Sequence, residues 1–168
     1  MEIYNLKTSN YNLRGKIGEL IAKSFAGGIR TVEFSPYYFC KNLKLFENQK
    51  TILFKHWKSI DLIDFKQDDF RNVKEIIISE VKTISQERSY KKHLEITQES
   101  LNAYREARTV GIIVKVIKII LQDNWNYIIS IKDFDENDFY VQNGGYYRKS
   151  LEIRRERYKK WIEFKSRI

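Results

Sequence analysis

The chain has 168 residues, 42% hydrophobic and 32% charged, with 31 Lys and Arg against 22 Asp and Glu for a net charge of +9. This composition excludes a disordered chain, and the length fits a single domain of residues 1–168 with its own core. No apolar run reaches the length of a membrane span, and one cysteine with two histidines (Cys40, His56, His93) excludes an internal disulfide and makes a poor zinc site.

The N-terminal "MEIYNLKTSNYNLRG" has no apolar h-region, so it does not read as a signal peptide, and an intracellular protein is expected. "NYNLRGKIGELIAKSFAGG" predicts a first helix, with Leu13, Ile17, Leu20, Ile21 and Ser24 at helical spacing, Asn12 as N-cap and Gly27-Gly28 as the stop. "IRTVEFS" favours a strand, and Pro36 to Gln49 is a short helix or an extended insertion. "TILFKHWKSIDLIDFK" reads as one long strand or two joined by a kink, and "QDDFRN" as a turn. "VKEIIISEVKT" is a strand rich in β-branched residues, the pattern of a strand buried on both faces. "ITQESLNAYREART" predicts a second helix capped near Thr97, "GIIVKVIKIIL" another buried strand, "QDNWN" a turn and "YIISIKDF" an added strand. "DENDFYVQNGG" is a short helix or loop.

From Tyr147 onward a helical pattern places Leu151, Tyr158, Trp161 and Ile162 on one side. Between Tyr146 and Ile168, nine Lys or Arg stand against three Glu, a net of +6 that leaves only +3 for the rest. A basic tail on a mildly basic body points to a polyanion such as nucleic acid, although Lys- and Glu-rich surfaces also occur in heat-adapted proteins. The segment reads as a phosphate clamp through Arg154, Arg155 and Lys159, as a dimer helix, or as a cover for the sheet.

The expected order is α-β-β-β-α-β with an added strand and a terminal helix. A helix linking 73–83 to 112–121 implies a parallel pair with a right-handed crossover, and the earlier strands pair antiparallel. The fold class is therefore α/β, a mixed central sheet flanked by helices.

One feature of the buried strand calls for an explanation in chemistry. Glu80 and Lys82 end it two residues apart, on one face of a strand. Burying charges is costly unless they are paired or bind a cation. Asp61, in "SIDLIDF", lies on the strand expected to form a hairpin with "EIIISEVKT". Two converging carboxylates repel, and a hard cation such as Mg²⁺ relieves this. A Lewis acid, a positioned water and a lysine are what phosphodiester hydrolysis needs. Asp64 is a rival, but it faces opposite to Asp61 in a regular strand, so only one of them joins Glu80.

Asp61 in "DLIDF" with "SEVK" resembles the PD-(D/E)xK nuclease superfamily, particularly archaeal Holliday-junction resolvases and small nucleases of archaeal viruses. The resemblance covers about residues 12–121, leaving 122–168 as an extension. It implies a restriction-endonuclease-like αβββαβ core and a Mg²⁺-dependent DNA endonuclease, with Mn²⁺ as substitute. It also implies Asp61, Glu80 and the Val81 carbonyl as metal ligands, Lys82 positioning water, and Glu19 in "GKIGELIA" as an outer or second-metal ligand. Ile60 stands where the family usually has proline, and the Asp61-to-Glu80 spacing is longer than in the shortest resolvases.

In the second helix the resemblance implies polar help to the site from among Gln98, Tyr104, Arg105 and Arg108, with Gln98 a catalytic candidate and Arg105 and Arg108 DNA contacts. Tyr104 and Leu101 as core, with solvated arginines, is the competing reading. His56 and Trp57 are either DNA-facing or core. The expected partners are DNA and a second copy, with no membrane, and the location is the cytoplasm, a host cell's if the protein is viral. A non-cleaving nucleic-acid-binding or assembly protein on the same fold is the alternative.

Overall fold

The computed structural model describes residues 11–86, 93–122 and 126–141. The first described element is helix α1 (Tyr11–Ala26), which stops at Gly27 and Gly28, both at positive φ (82° and 86°). Glycine suits the left-handed region. At Gly28 a side chain would also meet the Ile63 carbonyl, 2.7 Å from a Cβ. The turn drops the chain into β1 (Ile29–Arg30), which gives way at once to a 3₁₀ turn at Thr31–Glu33, so the expected strand over "IRTVEFS" is only two residues long.

Two helices follow, α2 (Pro36–Lys41) and α3 (Glu47–His56), then a 3₁₀ turn at Trp57–Ser59. Ser35 caps α2 by accepting from Tyr38 N–H at 3.2 Å. This corrects the expectation of a long strand from Thr51. Leu53 and Trp57 are both buried while Phe54 and Lys55 between them are exposed, whereas a strand that buries Leu53 and Trp57 would turn Lys55 inward as well. The strand proper is β2 (Leu62–Gln67).

A tight turn at Asp68–Asn72 joins β2 to β3 (Val73–Ser85). Asp68 holds this turn by accepting from the Phe70 and Asn72 N–H groups at 2.9 and 2.8 Å, with Arg71 at positive φ (63°). Next come β4 (Leu94–Ile96), α4 (Gln98–Thr109), β5 (Ile113–Leu121), β6 (Tyr127–Asp133) and β7 (Phe139–Val141). Thr97 caps α4 as expected, accepting from Ser100 N–H at 3.1 Å.

The main sheet has five strands in the order β1-β2-β3-β5-β6. All neighbours pair antiparallel except β3 and β5, which run parallel over nine pairs from Ile77↔Ile113 to Ser85↔Leu121. The fold is mixed α/β, a mixed sheet with helices on its faces. The short β4 and β7 form a separate parallel pair that was not foreseen.

Each face of the sheet has its own core. On one side Ile63, Ile76, Ile78, Val114 and Val116 pack with Leu53, Trp57, Tyr104, Ala107 and Phe134. On the other, Leu62, Ile117, Ile119 and Leu121 pack with Ala22, Ile17 and Ile21. Helix α1 turns Gly18 and Ala22 inward beside the expected Ile17 and Ile21, whereas Leu20 is half exposed and Ser24 exposed. Small residues let the helix lie close. A Cβ on Gly18 would stand 1.7 Å from Thr83 Oγ1. Asn12 lies inside α1 and is not its cap. Among the described residues no helix is long and apolar enough to cross a membrane. The basic segment 147–168, with Arg154, Arg155 and Lys159, lies outside the described residues.

Candidate functional site

The site lies where β2 begins and β3 leaves the core. The last β2–β3 ladder pair at this end is Leu62↔Ser79. Beyond it, Val81 N–H finds no strand partner on β2 and instead donates to Asp61 Oδ2 at 2.7 Å. The Asp61 backbone is held in turn. Its carbonyl accepts from Thr31 N–H at 3.1 Å, and the Thr31 hydroxyl donates to the Ile60 carbonyl. The carboxylate of Asp61 is thereby fixed against the Glu80-Val81-Lys82 backbone.

Glu80 is 4% exposed, among the most deeply buried charged residues described. Both of its carboxylate oxygens are engaged. Oε1 faces Lys82 Nζ at 2.5 Å, and Oε2 accepts from the Tyr104 hydroxyl. Alternation along the strand puts Glu80 and Lys82 on the α4 face, and the side chain of Val81 packs on the opposite core.

Burial drives the electrostatics. The Asp61 carboxyl is pushed up to about 8, first by loss of water, next by the Glu80 charge, with a smaller push from Glu19. The Val81 N–H and the Lys82 ammonium pull the other way without cancelling this. Tyr104 is raised well above the ordinary tyrosine value by burial and by the Glu80 and Asp61 charges, so its hydroxyl is a donor at any ordinary pH. The two carboxyls oppose each other's ionisation, and a proton or a cation relieves this.

Asp64 lies on the opposite face, as strand alternation requires. Its Oδ1 accepts from Phe65 N–H at 2.9 Å, and it lines a hollow with Ala26, Gly27, Leu62, Ile77 and Lys115. Of the two aspartates, the one facing Glu80 is therefore Asp61. Glu19 comes near enough to act on Asp61, but it is committed elsewhere. Arg30 donates to its Oε2 through Nε at 2.9 Å and lies 2.8 Å away through its terminal nitrogen.

Helix α4 sends a different residue to the site from the one expected. Gln98 is exposed at its first position and donates to Asn102 at 2.9 Å, with no contact to Asp61, Glu80 or Lys82. Arg105 is engaged in a two-pronged pair with Glu136, both contacts at 2.8 Å, while Arg108 is exposed. Tyr104, fully buried, is the α4 side chain that reaches Glu80, and its hydroxyl also lies 3.3 Å from the Ser59 carbonyl. Leu101, Tyr104 and Ala107 form the inward face of α4. That i, i+3, i+6 stripe was the available signal, since a tyrosine there carries a polar tip into the sheet. Trp57 is core, donating to the Thr31 and Phe34 carbonyls at 2.9 and 2.8 Å, and His56 pairs with Glu106 at 3.0 Å.

The donors available to a metal are hard oxygens, Asp61, Glu80 and the Val81 carbonyl, the set that suits Mg²⁺ or Mn²⁺. Among the described residues no three His, Cys, Asp or Glu side chains converge on one point, so a backbone carbonyl and water would complete the shell. The repulsion between the Asp61 and Glu80 carboxyls fits a cation. Compared with known proteins, the chain matches no family model, no curated protein and no solved structure.

Proposed function

We propose that the chain is a divalent-metal-dependent nuclease with a PD-(D/E)xK-like core, hydrolysing DNA phosphodiesters at Asp61, Glu80 and Lys82. One observation carries the reading: a buried pair of carboxylates, one holding its proton to about 8, with a lysine ammonium 2.5 Å from the other. Structural ion pairs rarely need a second, uncompensated acid, whereas a cation site does. The order of antiparallel β1-β2-β3 and parallel β3-β5 across α4 is compatible with the superfamily's core and supports the same reading.

A bound Mg²⁺ supplies a Lewis acid and a more acidic water. The chain's own groups do the rest. Asp61 is aimed by Val81 N–H, and Glu80 is aimed by Tyr104. Lys82 brings positive charge to the face where a phosphate gains negative charge during attack. Arg30 holds Glu19 as a counter-ion, which favours one metal over two.

A non-cleaving binding protein remains the second reading, favoured by the engagement of both Glu80 oxygens and by the Arg30 hold on Glu19. The decisive experiment is cleavage of linear, flap and four-way DNA with Mg²⁺, Mn²⁺ or EDTA, by wild type, D61N and E80Q. Metal-dependent cleavage lost in both variants supports the nuclease. DNA binding without cleavage under any metal supports the second reading, and cleavage surviving EDTA and E80Q overturns the site.

A further inference from the structure

The strands β3, β5 and β6 carry five lysines, and four of them have an acid. Lys74 lies 3.4 Å from Asp68, Lys82 2.5 Å from Glu80, Lys115 2.5 Å from Asp133 and Lys132 2.5 Å from Asp138. The fifth, Lys118 on β5, has no acid and no hydrogen bond among the described residues. It is not a fully exposed lysine free in solvent but a half-buried one.

Its position is defined by the parallel register, which pairs Lys82 with Lys118 between the pairs Glu80↔Val116 and Ile84↔Ile120. Directly paired residues on neighbouring strands project to the same face, with strands about 4.8 Å apart. Lys118 therefore stands beside Lys82 on the α4 face, one strand further from Asp61. Across β6 the row ends at Ser130. Along β5 its same-face neighbours are Val116, fully buried, and Ile120, so no acid flanks it there. Glu80, the diagonal neighbour, already has Lys82 and Tyr104 on its two oxygens. Two ammonium groups at directly paired positions repel each other, and Lys118 has no acid of its own among the described residues to offset this.

We infer that Lys118 is a phosphate-binding residue, contacting the nucleic-acid phosphate next to the one addressed by Lys82. The inference rests on the nuclease-site reading for the direction of the strand, but the lysine pair stands on the register alone. The ligand class is a phosphodiester polyanion. An ammonium answers it as a point charge and carries no base preference. The row from β3 to β5 sets the direction in which the bound strand crosses the sheet, away from Asp61 and toward β6.

The test measures binding of a labelled short duplex and a labelled single strand by anisotropy, in EDTA, across a KCl series. Wild type, K118A, K118R and, as a control at the far end of the hairpin, K74A are compared. Mn²⁺ binding to each protein without DNA is measured in parallel. K118A is expected to weaken both DNAs and to lower the slope of log affinity against log salt by about 0.7–0.9. K118R keeps most of the slope, K74A leaves it unchanged, and Mn²⁺ affinity is the same in all four. An unchanged slope in K118A overturns the inference, as does a loss of Mn²⁺ affinity in K118A, which would make it a support of the metal site. Wild type that binds Mn²⁺ but no DNA also overturns it while leaving the metal site intact. A Lys118-dependent slope in a protein that binds no Mn²⁺ upholds it and removes the nuclease reading instead.

Discussion

Replacing Asp61 by asparagine tests the electrostatics of the site without any assumption about substrate. In the folded chain the Asp61 carboxyl is raised from 3.8 to about 8, so its folded value lies above its unfolded one. Below about pH 4 both states hold the proton and nothing is lost. As the pH rises through the unfolded value, the unfolded chain releases its proton and the native chain does not. Unfolding becomes progressively easier until the native carboxyl also ionises near 8. Each pKa unit is worth about 1.4 kcal/mol, so keeping the proton at pH 7 costs folding about 4 kcal/mol. Water reaching the partly exposed residue reduces this to about 2–4 kcal/mol. Asparagine has no proton to hold, and its side-chain oxygen still accepts from Val81 N–H. D61N is therefore expected to melt roughly 5–15 °C higher than wild type near pH 7 in EDTA, at about 2–4 °C per kcal/mol for a chain of this size. Near pH 4 the two should melt together. The assay is thermal unfolding by circular dichroism at several pH values, with and without Mn²⁺. Saturating Mn²⁺ is expected to raise the wild-type melting point near pH 7 and to leave D61N nearly unmoved. A D61N protein no more stable than wild type near pH 7, or equally stabilised near pH 4, would refute the account of Asp61 as a buried, repelled carboxyl.

Three further outcomes follow from named contacts. Lys82→Met leaves Glu80 buried without its counter-ion and is expected to cost about 3 kcal/mol in urea unfolding, with Glu80→Gln added to it recovering most of the loss; a double variant as unstable as the single one contradicts the pairing. Tyr104→Phe removes the donor on Glu80 Oε2, with an expected cost of about 1–3 kcal/mol and about 10–100-fold weaker Mn²⁺ binding by calorimetry; unchanged Mn²⁺ affinity would make Tyr104 a packing residue only. Thr83 Oγ1 is buried without a hydrogen-bond partner beneath Gly18, so the isosteric Thr83→Val is expected to stabilise by about 1 kcal/mol, and a lower melting point would show that the hydroxyl is satisfied.

The parts legible in sequence were those where one local signal dominates. The β-branched run of β3, the Thr97 cap with the stripe on α4, and the crossover to a second Ile/Val run led to the central strands and their parallel pairing. The hairpin turn was legible from "QDDFRN", whose Asp68 does the capping. Helix α3 was not, because Ile52, Leu53 and Phe54 in a row look like a strand and the deciding fact, Lys55 exposed between buried Leu53 and Trp57, is tertiary. Of the stripe expected on α1, Ile17 and Ile21 face the sheet but Leu20 does not, because close packing against β3 selects Gly18 and Ala22 beside them. The convergence of Asp61, Glu80 and Lys82 was legible from alternation and register. What was not legible is who holds them: Tyr104 in place of Gln98 on Glu80, and Arg30 on Glu19, are contacts between elements whose approach no local pattern encodes.

The placement of the carboxylates on one hairpin also bears on the order in which the molecule assembles. Asp61 and Val81 are joined by a contact spanning 20 residues, whereas Tyr104 reaches Glu80 only after the chain has formed α4 and returned to the sheet. The β3–β5 pairs are all separated by 36 residues, as in Ile77↔Ile113. Contacts of shorter range close with less loss of chain entropy and tend to form earlier. The hairpin therefore brings the two acids together while they are still in water, where their repulsion is weak. Desolvation comes only when α4 docks and covers Glu80. The electrostatic strain of the site thus belongs to the last stage of folding, so relieving it should slow unfolding more than it speeds folding.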